Sequence, residues 1–225
     1  MKIVCRLAVL VLGGVCVGCG DAKPAENARA QPAVNRQPTE AAQTSIVRDR
    51  GLSTASARGA IRVVDLEGHS VNPFGDADAK AVVFVFVCTD CPVVNRYAPD
   101  IERLYEAYRQ KHVAFWLVYA DPREEPAKIR RHLKEYGYKV AALRDPEYRL
   151  VKLCRVTKTP EAVLFSPEGT QAYRGRIDDR FTDYGKARSA PSREDLREAI
   201  DCVLQGRPVP VATTQVVGCF IPESR

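Results

Sequence analysis

The sequence predicts an α/β domain with a central mixed sheet flanked by helices, and three observations support this prediction. The unbroken run Ala81–Val87 is rich in β-branched and aromatic residues, which is typical of a strand covered on both faces. Residues 92–112 then carry apolar side chains three and four positions apart, as in an amphipathic helix. Strands and helices alternate up to the turn residues 166–169, where a hairpin is expected. Alternation predicts parallel strands with crossover helices, and the hairpin adds antiparallel strands.

The start of the predicted domain leads into a pair of cysteines. A short strand is predicted over residues 61–66, ended by Glu67-Gly68, and the buried strand is predicted over residues 82–87. Pro92 favours the first position of a helix, so Cys91 is expected to be the N-cap of the helix that follows. The second cysteine of the pair therefore lies where a buried strand becomes a helix.

The later elements continue the same alternation. Strands are predicted over residues 113–119, 139–143, 162–165 and 171–177, and helices over residues 126–136, 148–154 and 192–204. Ser192 is the expected N-cap of the last helix, with Glu194 and Asp195 in its first turn. The tail from residue 207 is rich in Pro and Val and is predicted to be irregular. This order is that of a thioredoxin-like fold with an added strand and helix.

The first nineteen residues have the pattern of a secretory signal. Lys2 and Arg6 supply the positive region, and the apolar stretch 7–18 is too short to span a bilayer. Residues 17–20 resemble the lipobox of bacterial lipoproteins, which predicts that Cys19 is the lipidated N-terminus of the mature chain. An ordinary cleaved signal with unrelated cysteines is the alternative.

Residues 20–58 are predicted to be a flexible linker. The stretch is rich in small and polar residues and contains no aromatic residue, so it cannot bury enough apolar surface to offset its chain entropy. A flexible segment of this length reaches on the order of 35 Å. We therefore expect an exported, periplasmic or cell-envelope protein, whose domain (residues 59–225) is held near a membrane by a lipid anchor.

Charge and cysteine content narrow the function classes. The net charge of +6 is spread along the chain without a basic stripe interleaved with aromatic residues, which argues against nucleic acid as a partner. Five of the eight cysteines lie in the predicted domain, so at least one cannot pair within it. No cofactor or metal is expected, because the three histidines are isolated from one another and are predicted at the surface or at helix ends: His69, His112 and His132.

The segment Cys88-Thr89-Asp90-Cys91-Pro92 carries the predicted chemistry. A helix N-terminus stabilises a thiolate, the form of cysteine that attacks disulfides and peroxides, whereas the neighbouring Asp90 is expected to raise the thiol pKa somewhat. In an extended chain the two cysteine Cα atoms would lie about 10 Å apart, and a disulfide needs less than about 7 Å. A Cys88–Cys91 bond therefore requires a turn at Thr89-Asp90. Cys88 could instead be a buried thiol at the end of the strand.

Four motifs occur in order over residues 61–221: C-x-x-C-P at Cys88–Pro92, T-P-E at Thr159–Glu161, Y-R-G-R-I-D-D at Tyr173–Asp179, and G-C-x-I at Gly218–Ile221. With them the domain resembles the redoxin (AhpC/TSA-like) branch of the thioredoxin superfamily, and within it a peroxiredoxin-like subfamily. The resemblance implies that Cys91 is the nucleophile, because it follows the strand at the nucleophile position of thioredoxins. The usual resolving position holds Val94, so Cys88 is the expected resolving cysteine.

The resemblance also implies a substrate-binding loop. In the thioredoxin fold a cis-proline loop faces the nucleophile, and the residue before the proline presents its backbone to an extended substrate. Thr159 and Pro160 fit this loop, while Thr89, Asp90 and Pro92 would surround the nucleophile. In the related subfamily a cysteine often stands where this chain has Lys158, and the nearest cysteine here is Cys154. Cys154 is therefore either a redox cysteine or part of the core.

Two further cysteines have open roles. Cys202 is predicted on the last helix and Cys219 in the tail, and a structural bridge between them would close a loop of about 17 residues, worth at most about 3 kcal/mol. Alternatively, Cys219 is a mobile resolving thiol, as C-terminal cysteines are in some peroxiredoxins. We favour the structural bridge slightly.

The expected function is that of a thiol–disulfide oxidoreductase outside the cytoplasm, acting on protein disulfides and regenerated by a reductant delivered through the membrane. One alternative is a peroxidase, with peroxide as substrate. Peroxiredoxins place Thr three and Pro seven residues before the reactive cysteine, and here Cys88 and Phe84 precede Cys91 at those distances. A second alternative is a copper-binding module, although such modules use C-x-x-x-C.

Overall fold

A computed structural model of the chain describes residues 59–222, and a mixed seven-stranded sheet forms its centre. The predictions for residues 1–58 lie outside the described residues. The sheet has the order β2-β1-β5-β4-β3-β7-β8. Its strands are β1 (Val63–Val64), β2 (Ser70–Val71), β3 (Ala81–Val87), β4 (Val113–Tyr119), β5 (Ala141–Arg144), β7 (Glu161–Phe165) and β8 (Gln171–Gly175).

The sheet combines parallel and antiparallel pairs, as the sequence predicts. Strands β3, β4 and β5 are parallel to one another, whereas β7 and β8 add to the other side of β3 in antiparallel fashion. Four short strands lie outside this sheet: β6 (Lys158–Thr159) pairs with β11 (Cys219–Phe220), and β9 (Phe181–Asp183) pairs with β10 (Lys186–Ala187). The helices are α1 (Pro92–Tyr108), α2 (Pro126–Glu135), α3 (Arg149–Cys154) and α4 (Asp195–Leu204), and a 3-10 turn (Arg109–Lys111) follows α1.

Strand β3 is buried along its whole length because both faces of the sheet are covered. Alternate residues belong to separate core clusters: Val83 and Val85 pack in the cluster that contains residues of α1 and α4, and Phe84 and Phe86 pack in the cluster that contains Leu150 of α3. This two-sided burial is why the strand is an uninterrupted apolar run instead of an alternating one. The thioredoxin-like architecture predicted from the order of the elements is therefore present.

Several element boundaries differ from their predictions. The strand predicted over residues 61–66 is shorter in the structure and covers only Val63–Val64. It pairs with Ser70–Val71, a strand that was not predicted. Helix α4 begins at Asp195 with Glu194 as N-cap, so the assignment of Ser192 as N-cap is wrong. The Ser192 hydroxyl donates instead to the Asp179 carboxylate, and its backbone N–H donates to the same side chain at 2.7 Å. These bonds engage the Ser192 side chain with Asp179, so it does not cap the helix.

The tail is largely irregular, as predicted, but it contains one short strand. Cys219 and Phe220 pair with Thr159 and Lys158 in antiparallel register, and the Ile221 N–H donates to the Thr157 carbonyl at 2.9 Å. We call residues 216–222 the docked segment. Because a two-residue strand carries almost no period-two signal, the sequence did not indicate it.

Charged residues in the segment that follows β8 bind it to two helices. The Tyr97 hydroxyl of α1 donates to the Asp178 carboxylate at 2.5 Å, and Arg180 pairs with Asp100 of the same helix at 2.6 Å. Arg176 likewise pairs with buried Asp195 at 2.7 Å. These bonds connect the segment that follows β8 to α1 on one side and to α4 on the other.

Within residues 59–222, no helix is both long enough and apolar enough to cross a membrane.

Candidate active site

The two cysteines of the C-x-x-C motif lie at the junction between β3 and α1. β3 ends at Val87, and α1 begins at Pro92 with Cys91 as its N-cap in an extended conformation. The prediction of Cys91 as the N-cap is confirmed. The Cys91 carbonyl accepts the N–H of Asn95 at 3.0 Å, and its side chain is 0 % exposed. Cys91 is therefore both capping the helix and enclosed.

The loop that contains Thr159 faces both cysteines. The Thr159–Pro160 peptide bond is cis, as expected from the sequence. The Cys88 Sγ lies 3.1 Å from the Thr159 Oγ1, and the Cys91 Sγ lies 3.4 Å from the Thr159 carbonyl oxygen. One threonine thus contacts the two thiols through different atoms, and the structure brings together four residues that the sequence singled out.

A third thiol completes the cluster. The Cys219 Sγ in the docked segment lies 2.7 Å from the Cys91 Sγ and donates a hydrogen bond to it. All five cysteines among the described residues are unbonded, so the favoured bridge between Cys202 and Cys219 is wrong. The physical reason is the pairing of the docked segment with β6, which holds Cys219 at the Cys91 side chain while Cys202 stays in the core.

The thiols have opposite acidities. The pKa of Cys91 is lowered to about 5, chiefly by the hydrogen bond from the Cys88 thiol, with further donors at Cys219 and the Val94 N–H. The pKa of Cys88 is raised, because this same hydrogen bond and burial both favour its protonated form. The pKa of Cys219 is raised to about 11, first by burial and then by Cys91. Cys91 is therefore the thiolate at neutral pH, and its two neighbours hold protons.

We expect the alkylation of Cys91 by iodoacetamide to report this acidity. Only the thiolate reacts, so the rate should rise with pH and reach half of its maximum near pH 5, against about 8.5 for an ordinary cysteine. Cys88→Ala removes the main donor and should move this midpoint towards higher pH. The measurement is peptide mass spectrometry of Cys91 after timed labelling; an unchanged midpoint in Cys88→Ala would contradict the assigned donor.

Asp90 is not among the groups that chiefly determine the pKa of Cys91. Its side chain is 81 % exposed and pairs with Lys128 at 2.5 Å, and this partner lowers the pKa of the Asp90 carboxyl. The carboxylate therefore faces solvent with a lysine beside it. The pKa of Cys91 is lowered overall, so the raising effect predicted for Asp90 does not dominate at this site.

Glu124 is a site residue that sequence reasoning missed. Its Oε1 accepts both the backbone N–H and the hydroxyl of Thr89, each at 2.6 Å, and the side chain is buried. Burial raises the pKa of Glu124, and its charge contributes to the raised pKa of Cys88. The bonds fix the turn between the two cysteines. The only sequence signal is a charged residue just after a predicted central strand, in Asp121-Pro122-Arg123-Glu124-Glu125.

A cleft of about 470 Å³ opens beside the cysteines. Its walls include Cys88 and Thr159, and Phe220 and Ile221 of the docked segment close one side. Cys91 is not among the residues that line it. In this conformation the cleft reaches the pair of thiols from the Cys88 side.

The other cysteines lie away from this cluster. Cys154 is buried in the core cluster that contains Phe84 and Phe86, and burial raises its pKa. Cys202 is buried on α4. The surroundings of Cys154 agree with its core-packing alternative. Among residues 59–222, no group of three or more His, Cys, Asp or Glu side chains is arranged to hold a metal ion.

The fold and the site together define a thioredoxin-like protein with a cysteine pair at the start of its first long helix and a cis-proline loop opposite. The model of the AhpC/TSA family matches residues 60–174, more than half of the chain. The chain belongs to the AhpC/TSA family.

Individual proteins are also similar to this chain. The thiol-disulfide oxidoreductase ResA of Halalkalibacterium halodurans is 27% identical over 122 residues, which cover 54% of this chain and 68% of ResA. The crystal structure of an uncharacterized conserved protein from Geobacillus kaustophilus has a TM-score of 0.63 and 26% identity, covering 73% of this chain and 88% of that one. A hypothetical protein from Sinorhizobium meliloti has the same TM-score of 0.63 at 24% identity, covering 73% and 91% of the two chains, and it supports the fold alone.

Proposed function

We propose that the protein is a thiol–disulfide oxidoreductase in which Cys91 is the nucleophile. One observation carries the proposal: the Cys91 thiol is held at a helix N-terminus with its pKa lowered to about 5, against the carbonyl of the residue that precedes a cis-proline. A thiolate at neutral pH is the reactive form for disulfide exchange. The similarity to a relative named thiol-disulfide oxidoreductase supports the same activity.

The proposed reaction has two displacements. The Cys91 thiolate attacks one sulfur of a protein disulfide, forms a mixed disulfide and releases the other sulfur as a thiolate, which takes up a proton. Cys88 then loses its proton and attacks the Cys91 Sγ, so the substrate leaves as a second thiol and a Cys88–Cys91 disulfide remains. The raised pKa of Cys88 keeps it protonated until Cys91 has lost its negative charge in the mixed disulfide.

The groups around Cys91 have proposed binding roles. The backbone of Thr159 would pair with an extended substrate segment, and Thr89, Asp90 and Pro92 would form the rim on the helix side. The exposed Asp90–Lys128 pair lies at the cleft and would meet charged substrate groups. The hydrogen bonds from Thr89 to Glu124 keep this rim in one conformation.

We also propose that the protein works outside the cytoplasm. The signal pattern of residues 1–19, with lipidation at Cys19, and the composition of residues 20–58 support an exported domain tethered to a membrane. A reductant delivered through that membrane would then reduce the Cys88–Cys91 disulfide and restore the dithiol. This location is also compatible with disulfide-bonded proteins as substrates.

Parallel assays distinguish the proposed activity from peroxidase activity. The reduced chain is mixed in one series with insulin and in another with micromolar hydrogen peroxide, and loss of the Cys91 thiol is followed in both. We expect insulin to be reduced and Cys91 to react only slowly with peroxide, since Phe84 and Cys88 stand where peroxiredoxins have Pro and Thr. Rapid oxidation of Cys91 by peroxide without insulin reduction would overturn the proposal in favour of a peroxidase.

A further inference from the structure

The docked segment lies where an extended substrate would pair with the cis-proline loop. Cys219 is opposite Thr159 and Phe220 is opposite Lys158 in antiparallel register, and the Ile221 N–H donates to the Thr157 carbonyl. The Lys158 ammonium donates to the Val216 carbonyl at 3.3 Å and lies 4.9 Å from the centroid of the Phe220 ring. The segment is therefore held mainly through its backbone, a mode that other extended peptides can share.

Gly218 makes the close approach possible. A Cβ at this position would overlap the carbonyl group of Thr159 and contact the Pro160 Cδ at 3.3 Å. The obstacle is backbone on an enclosed loop and cannot move aside like the end of a flexible side chain. The residue before the docked cysteine must therefore be glycine if the pairing is to bring that cysteine to Cys91.

The docked cysteine reaches the nucleophile. The Cys219 Sγ is 2.7 Å from the Cys91 Sγ, and a disulfide would require about 2.05 Å. The Tyr184 hydroxyl is a further hydrogen-bond partner of Cys219 and lowers its pKa, against the dominant effect of burial. The segment thus presents to Cys91 what a substrate presents: an extended backbone on β6 and a sulfur at the reacting atom.

We propose that the docked segment is an intramolecular substrate, and that oxidised Cys91 exchanges its partner from Cys88 to Cys219. The proposal rests on the proposed function, because turnover supplies the Cys88–Cys91 disulfide. The Cys219 thiol loses its proton and attacks the Cys91 Sγ, the Cys91–Cys219 bond forms, and the Cys88–Cys91 bond breaks. Cys88 leaves with the electron pair and takes up the proton. The exchange is an isomerisation and needs no further oxidant or reductant.

The proposal also names the class of external substrate. With the segment docked, Cys91 is 0 % exposed, so the segment must leave β6 before another disulfide can reach the nucleophile. Phe220 is 75 % exposed, and Val217, Cys219 and Ile221 are only partly buried against the core, so none of these side chains is fully enclosed. A competing substrate binds the same edge, and a peptide that pairs in the same register fits best when glycine precedes its reactive cysteine. A disulfide that reaches Cys91 without this pairing, as in insulin, needs no glycine there.

Disulfide mapping tests the exchange. The reduced full-length chain is oxidised by insulin, free thiols are blocked with N-ethylmaleimide at acidic pH, and the unreduced digest is analysed by mass spectrometry. We expect a peptide pair joined through Cys91 and Cys219 beside the pair joined through Cys88 and Cys91. Gly218→Ala should lower the ratio of the first to the second about tenfold, which corresponds to about 1.4 kcal/mol. Val216→Ala, which adds no atoms to the same segment, should leave this ratio close to that of the wild type.

The two readouts separate the inference from the function on which it rests. A Cys88–Cys91 pair without any Cys91–Cys219 pair would overturn the exchange while leaving the oxidoreductase intact. An unchanged ratio in Gly218→Ala would likewise overturn the role of the docked segment. The absence of any disulfide at Cys91, to Cys88 or to Cys219, after incubation with insulin would count against the proposed function itself.

Discussion

Cys91→Ser is expected to lower the rate of insulin reduction at least about a thousandfold, because the variant loses the atom that forms the mixed disulfide. A serine hydroxyl is not ionised at neutral pH, and the donors that lower the pKa of Cys91 cannot compensate for this. The measurement is insulin reduction followed by turbidity under an excess of reductant. Cys202→Ala, which removes a buried thiol from α4, should keep most of the activity and serves as the control.

The Cys91→Ser result is informative only if the variant folds. Serine is close to cysteine in size, and its hydroxyl can donate to the carbonyl oxygen of Thr159, which lies 3.4 Å from the thiol in the wild type. We therefore expect the urea midpoint to change little. A folded Cys91→Ser protein that reduces insulin at the wild-type rate would rule out Cys91 as the nucleophile.

Cys88→Ser is expected to convert repeated turnover into a single event that ends in a covalent complex. Without the resolving thiol, the mixed disulfide between Cys91 and the substrate persists, and each chain should retain one substrate polypeptide on a non-reducing gel. The serine hydroxyl can still donate to Cys91, so the first displacement should continue. Digestion of the complex should identify Cys91 as the attachment site and would also identify a natural partner.

A double variant tests whether Cys219, the third thiol of the cluster, affects the yield of the complex. Cys219 contacts Cys91 and could release the substrate by attacking the Cys91 Sγ of the mixed disulfide, so the double variant Cys88→Ser, Cys219→Ser should retain the complex at least as well. The Cys91→Ser variant should form none. If the single and double variants both reduce insulin repeatedly, Cys88 is not the resolving cysteine.

The sequence predicted the parts of the site that depend on local chemistry. An apolar run followed by Pro92 specified the strand, the start of α1 and the capping position of Cys91. The cis peptide at Pro160 followed from the family resemblance, because a proline before a strand does not by itself imply a cis bond. These features need only a few consecutive residues or a known motif.

The features that were missed depend on residues distant in the chain. Glu124 is 35 positions from Thr89, and Cys219 is 128 positions from Cys91. His132 lies in the last turn of α2, a helix end as expected, but its burial and its hydrogen bonds to Tyr119 and Asn95, of 2.8 and 2.9 Å, were not predicted. A lone histidine or glutamate carries no local sign of its partner. Only the folded arrangement of these distant segments reveals such pairs.

The bonds from Tyr97 and Asp100 to the segment after β8 hold α1 in place, whereas the docked segment is the part proposed to move. They secure the middle of the helix whose first turn carries the nucleophile, and they join it to the sheet through buried or half-buried charges. The docked segment has no buried ion pair of this kind; it is held by its pairing with β6, by Cys91 and Tyr184, and by partly buried apolar residues. In the proposed exchange, residues 216–222 would therefore move past a thiolate whose own helix stays in place. The hydrogen bonds from Cys88 and from the Val94 N–H, which lower the pKa of Cys91, do not depend on that segment.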